Sequence, residues 1–116
     1  MSTALQPCDI IGGTRHPIDG ESLVSIDPAY PDRVVWSGTP SLSHVDAATV
    51  AARAAFGPWA ARSMQERAVH LQRWRDVTRE HVDELADLIA REVGKPLAEA
   101  RIEASALGGK VDLTLE

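Results

Sequence analysis

The sequence predicts a mixed α/β chain in which a short strand hairpin or meander comes first and three to four amphipathic helices follow. Two observations carry this prediction. Five of the seven prolines and four of the eight glycines fall in residues 1–40, beside short β-branched runs, as expected of strands broken by turns. Residues 41–116 instead carry apolar side chains at three- and four-residue spacing, the period of a helix with one apolar face.

The strands read as "DII", "ESLVSID" and "RVVWSG". The first two flank the glycine- and proline-punctuated loop "GGTRHPIDG", and "DPAYPD" turns the chain before the third. In "IIGGTR" the glycine pair suits a hairpin turn, because glycine adopts positive φ without a steric penalty.

The first helix starts at Ser41 or Ser43, either of which can cap free amides, with Ser43 and Asp46 spaced as a capping box and Asp46 favouring the positive helix end. Val45, Ala48, Ala52, Ala55, Phe56 and Trp59 share one side, and Gly57 with Pro58 ends the stretch. A stripe of such small residues implies close packing against a neighbour. In the second helix Ser63 and Glu66 stand in the serine-x-x-glutamate relation that satisfies two backbone donors reciprocally. Leu71, Trp74 and Val77 continue it to a break near Glu80. The pattern resumes at Val82, Leu85, Ala86, Ile89 and Val93 and stops at Gly94 and Pro96. Pro96 suits the first turn of the last helix, whose apolar residues are Leu97, Ala100, Ala104, Leu107, Val111 and Leu115. No glycine, basic turn or proline closes that helix, so its pattern reads as cut.

With 116 residues the chain holds one domain at most, and only five aromatic residues are available to fill a core. A formal charge of −5 offers no field for a phosphate backbone, which argues against nucleic acid as a partner. The arginines of residues 62–79 are interleaved with acids, as on a solvated helix face. One cysteine excludes an internal disulfide framework, and neither a signal peptide nor a membrane span is legible, so a soluble cytoplasmic protein is expected.

Little chemistry is offered. Cys8 sits in an N-terminal tail beside Asp9, without the base or positive dipole that a nucleophilic thiolate needs. His16, His44, His70 and His81 match no zinc spacing and read as surface residues, the last two within helices. "SALGGK" is not a phosphate loop, because Lys110 is followed by Val111 inside a helical pattern. Glu99 and Glu103 project from one helical face, but Lys95 and Arg101 beside them make a surface ion-pair ladder the plainer reading.

Residues 28–116 resemble the N-terminal portion of the aldehyde dehydrogenase superfamily. The resemblance rests on "SIDPAYPDRVVWSGTPS", on the alanine-rich helix, tryptophan bend and following helix of "VDAATVAARAAFGPWAARSMQERAVHLQRW", and on "ELADLIAREVGKPLAEARIE". "GKPLAEARIEASALGGKVDLTLE" is most similar to succinylglutamate-semialdehyde dehydrogenases of bacterial arginine breakdown, while "DPAYPDRVV" also suits pyrroline-5-carboxylate dehydrogenases. Asp27 stands where the family usually has asparagine.

The resemblance implies an incomplete α/β domain and an NAD(P)-dependent enzyme. Such an enzyme attacks an aldehyde with a cysteine, passes hydride to the nicotinamide and hydrolyses the acyl-enzyme with a glutamate as base. It covers roughly the first quarter of a family member. The nucleophile, the glutamate, the oxyanion asparagine and the cofactor lysine would all follow Glu116, so no catalytic, cofactor or metal residue is assigned in residues 1–116. Some relatives hold a monovalent cation with a carboxylate ahead of "GKP" and a carbonyl near the Asn-Pro step, positions that correspond to Glu92 and Ile26. The expectation is an inactive N-terminal segment. Its apolar faces await the remainder of the domain, a full-length homologue or a second copy, the alternative being a non-catalytic helical interaction module.

Overall fold

The computed structural model describes residues 6–116. In chain order they form β1 (Cys8–Ile11), β2 (Thr14–Pro17), β3 (Leu23–Ile26), β4 (Val34–Gly38), α1 (Leu42–Ala60), α2 (Met64–Glu80), α3 (Val82–Val93) and α4 (Leu97–Leu115). The strands and α1 belong to one compact unit ending at Ala61, and α2 to α4 belong to a second, Arg62–Glu116. The mixed class and the order of elements are those predicted, with four helices and two separate antiparallel strand pairs.

In the first pair, Gly12 and Gly13 take φ of 57° and 83° and reverse the chain in two residues. Thr14–Pro17 therefore runs back against Cys8–Ile11 as β2, in the register Asp9↔His16 and Ile11↔Thr14, where the sequence suggested a loop. A two-residue turn leaves no slack, so the residues after it must pair. Cys8 accordingly lies in a strand and not in a tail.

The second pair is closed by Asp27, which is 5% exposed. Its Oδ1 accepts from the amides of Ala29 (2.9 Å) and Tyr30 (3.3 Å), and its own amide donates to the carbonyl of Arg33 (3.0 Å). The Arg33 guanidinium lies 4.1 Å above the Tyr30 ring. Aspartate and asparagine both present an acceptor at Oδ1, which is why the turn forms with the acidic residue. The register skips at Ser25/Ile26 and turns Val35 inward, where it is buried.

The two pairs meet where Ile18 crosses β4. Its carbonyl accepts from the Thr39 amide at 3.2 Å, and a Cβ on Gly38 would come within 2.6 Å of that same oxygen.

Helix α1 is capped by Ser41 without a side-chain bond to the backbone. Ser43 hydrogen-bonds Ser41 (Oγ to Oγ, 2.8 Å), and Asp46 falls in the second turn, so the capping box expected at Ser43 and Asp46 does not form. Nor does the helix stop at Gly57. Pro58 withholds one amide, but the Ala61 amide still reaches the Gly57 carbonyl at 3.1 Å, and the last turn closes around the proline. No residue of α1 is buried; Val45 and Phe56 are 61% and 67% exposed.

The helical unit follows its signals more closely. Ser63 and Glu66 form the reciprocal box, with the Glu66 amide 3.2 Å from Ser63 Oγ and the Ser63 amide 2.8 Å from Glu66 Oε2. The break falls at His81, which ends α2 and opens α3. Gly94 ends α3 in the left-handed conformation, and Pro96 caps α4.

The core of the unit is Ala86, Ala100 and Ala104, flanked by Val82, Leu85, Ile89 and Ala90. The buried seam of α4 continues through Gly108 and Val111, not through Leu107, which stays 38% exposed. Two arginine stems take the space: a Cβ on Gly108 would meet Arg79 Cγ at 3.2 Å and Arg75 Cγ at 3.5 Å.

These glycines differ in what surrounds them, and urea unfolding of single variants reads the difference. Gly38→Ala drives a methyl into the Ile18 carbonyl and is expected to destabilise the chain by about 1–3 kcal/mol, the usual cost of overpacking. Gly109→Ala meets open space within α4 and is expected to stabilise by about 1 kcal/mol through helix propensity.

Candidate functional site

The fold gathers polar groups in three places. In the strand unit Asp9 and His16 are cross-strand partners, and α1 brings His44 onto them. His44 Nδ1 lies 2.8 Å from Asp9 Oδ2, and the His16 and His44 rings meet edge to face with centroids 5.3 Å apart. Sequence spacing could not bring these three together, because residues 35 apart meet only through the hairpin and the helix start. His44 is therefore a tie between β1 and α1, with its side chain 23% exposed, and not the free surface residue expected.

A carboxylate-oriented imidazole is half of a hydrolytic relay. The other half is not supplied: Ser41 lines the same cavity, but its hydroxyl is bonded to Ser43, and no hydroxyl hydrogen-bonds the second His44 nitrogen among the described residues. Cys8 is a free, half-buried thiol beside a cavity of about 280 Å³ that Arg15 and Asp19 also line. Arg15 comes from the partner strand, a neighbour that only the hairpin register reveals.

In the helical unit, Asp112 receives Arg75 Nη1 at 2.8 Å and Arg79 Nη2 at 2.6 Å, and Arg75 Nε also holds Asp76 at 2.9 Å. The hydrogen bond from Arg75, aided by the charge of Arg79, holds the Asp112 carboxyl below its ordinary value. Bonds to Asp76 and then Asp112 raise Arg75 in turn. This network was not anticipated from the sequence, although arginines 75 and 79 are a helical turn apart. Glu66 is also held below its ordinary value, first by the Ser63 backbone amide and then by the Ser63 hydroxyl.

The remaining candidates stand apart. His70 is reached by Arg62 at 3.4 Å, and His81, at the joint between α2 and α3, pairs with Glu84 at 3.1 Å. The ladder expected among Lys95, Glu99, Glu103 and Arg101 is split: Lys95 binds Glu103, and Arg101 turns to Asp83 on α3 at 2.9 Å. Ile26 closes β3 in the strand unit, and Glu92 sits half-buried on α3 in the helical unit. Among the described residues no three His, Cys, Asp or Glu side chains converge as a metal ligand set.

Among the described residues neither glycine pair has the setting of a phosphate loop. Gly12 and Gly13 form a strand-to-strand turn, and Gly108 and Gly109 lie in mid-helix, so neither pair makes the strand-to-helix turn that cradles a pyrophosphate. No helix among the described residues is long and apolar enough to cross a membrane.

What this arrangement belongs to is decided by comparison. Residues 17–115 match the aldehyde dehydrogenase family. The chain belongs to that family. It is 41% identical over 107 residues to an N-succinylglutamate 5-semialdehyde dehydrogenase of Ectopseudomonas mendocina (strain ymp), covering 91% of this chain and 22% of the relative. A protein of the same name from Chromobacterium violaceum is 42% identical over 99 residues, covering 84% of this chain and 20% of the relative. N-succinylglutamate 5-semialdehyde dehydrogenase 2 of Caulobacter vibrioides is 40% identical over 105 residues, with 90% and 22% covered. The chain thus spans about a fifth of the length of these dehydrogenases.

The depressed carboxyls set the acid limb of stability. A carboxylate held low in the folded state adds stability above its ordinary value, about 4, and loses it as pH falls through the depressed one. Acid titration by circular dichroism is therefore expected to show stability falling below about pH 4. Asp112→Asn should lower stability at neutral pH and flatten that limb.

Proposed function

We propose that this chain is the N-terminal segment of an NAD(P)-dependent dehydrogenase that oxidises succinylglutamate semialdehyde to the corresponding acid, in the cytoplasmic breakdown of arginine. The observation that carries the reading is identity near 40% to three dehydrogenases of that name across 84–91% of this chain.

In this reading the chain's contribution is scaffold. Its side chains include no base-activated nucleophile and no dinucleotide cradle among the described residues. Its polar clusters tie elements together: Asp9 to His44, Asp112 to Arg75 and Arg79, and Asp27 to its own turn. The large apolar side chains left on the surface, among them Val45, Phe56, Ile102 and Leu113, are the faces that the rest of such an enzyme would cover.

Those same exposed faces favour a second reading, a non-catalytic module that docks on a dehydrogenase or on its own copy. Such a module would unfold cooperatively as a defined oligomer, whereas a segment parted from its domain would be molten or aggregate.

The purified chain is expected to give no nicotinamide reduction with succinylglutamate semialdehyde and NAD or NADP, followed at 340 nm. A chimera in which it replaces the matched segment of the Ectopseudomonas mendocina enzyme is expected to turn over. Turnover by the chain alone, or a folded chimera without activity, overturns the proposal.

A further inference from the structure

We draw no further inference here: the strongest candidate, the side-chain cluster of Asp9, His16 and His44 where the first hairpin meets the start of α1, is the tie between hairpin and helix already described, and nothing among the described residues adds a ligand or a reacting group to it.

Discussion

The helical unit depends on how closely α4 can approach α3 and α2. Ala86, Ala100 and Ala104 are each at most 1% exposed, and no large side chain is fully buried anywhere among the described residues. An alanine seam brings helix axes near the lower end of the usual 8–10 Å separation, where backbone and Cβ contacts replace interdigitated leucines. It also limits what burial can contribute, since each alanine removes little apolar area from water. Gly108 extends the same geometry: with no Cβ there, the stems of Arg75 and Arg79 lie across α4 and place both guanidiniums on Asp112.

The strand unit answers a different constraint. Its strands are four or five residues long and paired only two by two, which is marginal for independent stability. It relies on local devices: a glycine pair with positive φ, an aspartate that caps its own turn, a bulge that buries Val35 and a carbonyl of Ile18 resting on Gly38. A thin core in one unit and locally stitched strands in the other leave many large apolar residues in water.

Several features were legible in the sequence because their causes are local. The reciprocal bonds of Ser63 and Glu66 span three residues, Gly94 alone dictates a left-handed stop, and the glycine pair at 12 and 13 reverses the chain by its own backbone freedom. Misreadings arose where a local signal met a wider context. Pro58 looked like a terminus, but so near the helix end it withholds a single bond, and the turn closes around it. Thr14–Pro17 looked like loop because its residue types suit turns, and it became a strand because a two-residue reversal forces pairing.

The sequence by itself determined the mixed class, the order of strands and helices, the caps and breaks of α2 and α3, and the family, since each is written in spacing or in segments that survive without neighbours. Only the tertiary structure decided the rest: that His44 reaches Asp9 beside His16, that Arg75 and Arg79 converge on Asp112, that Gly108 replaces Leu107 in the seam, and that Arg101 leaves the expected ladder for Asp83. Those contacts join residues 18 to 37 positions apart or depend on the rotation of one helix against another. A helical period fixes which residues share a face, but the angle at which that face meets its neighbour is set by the packing of both.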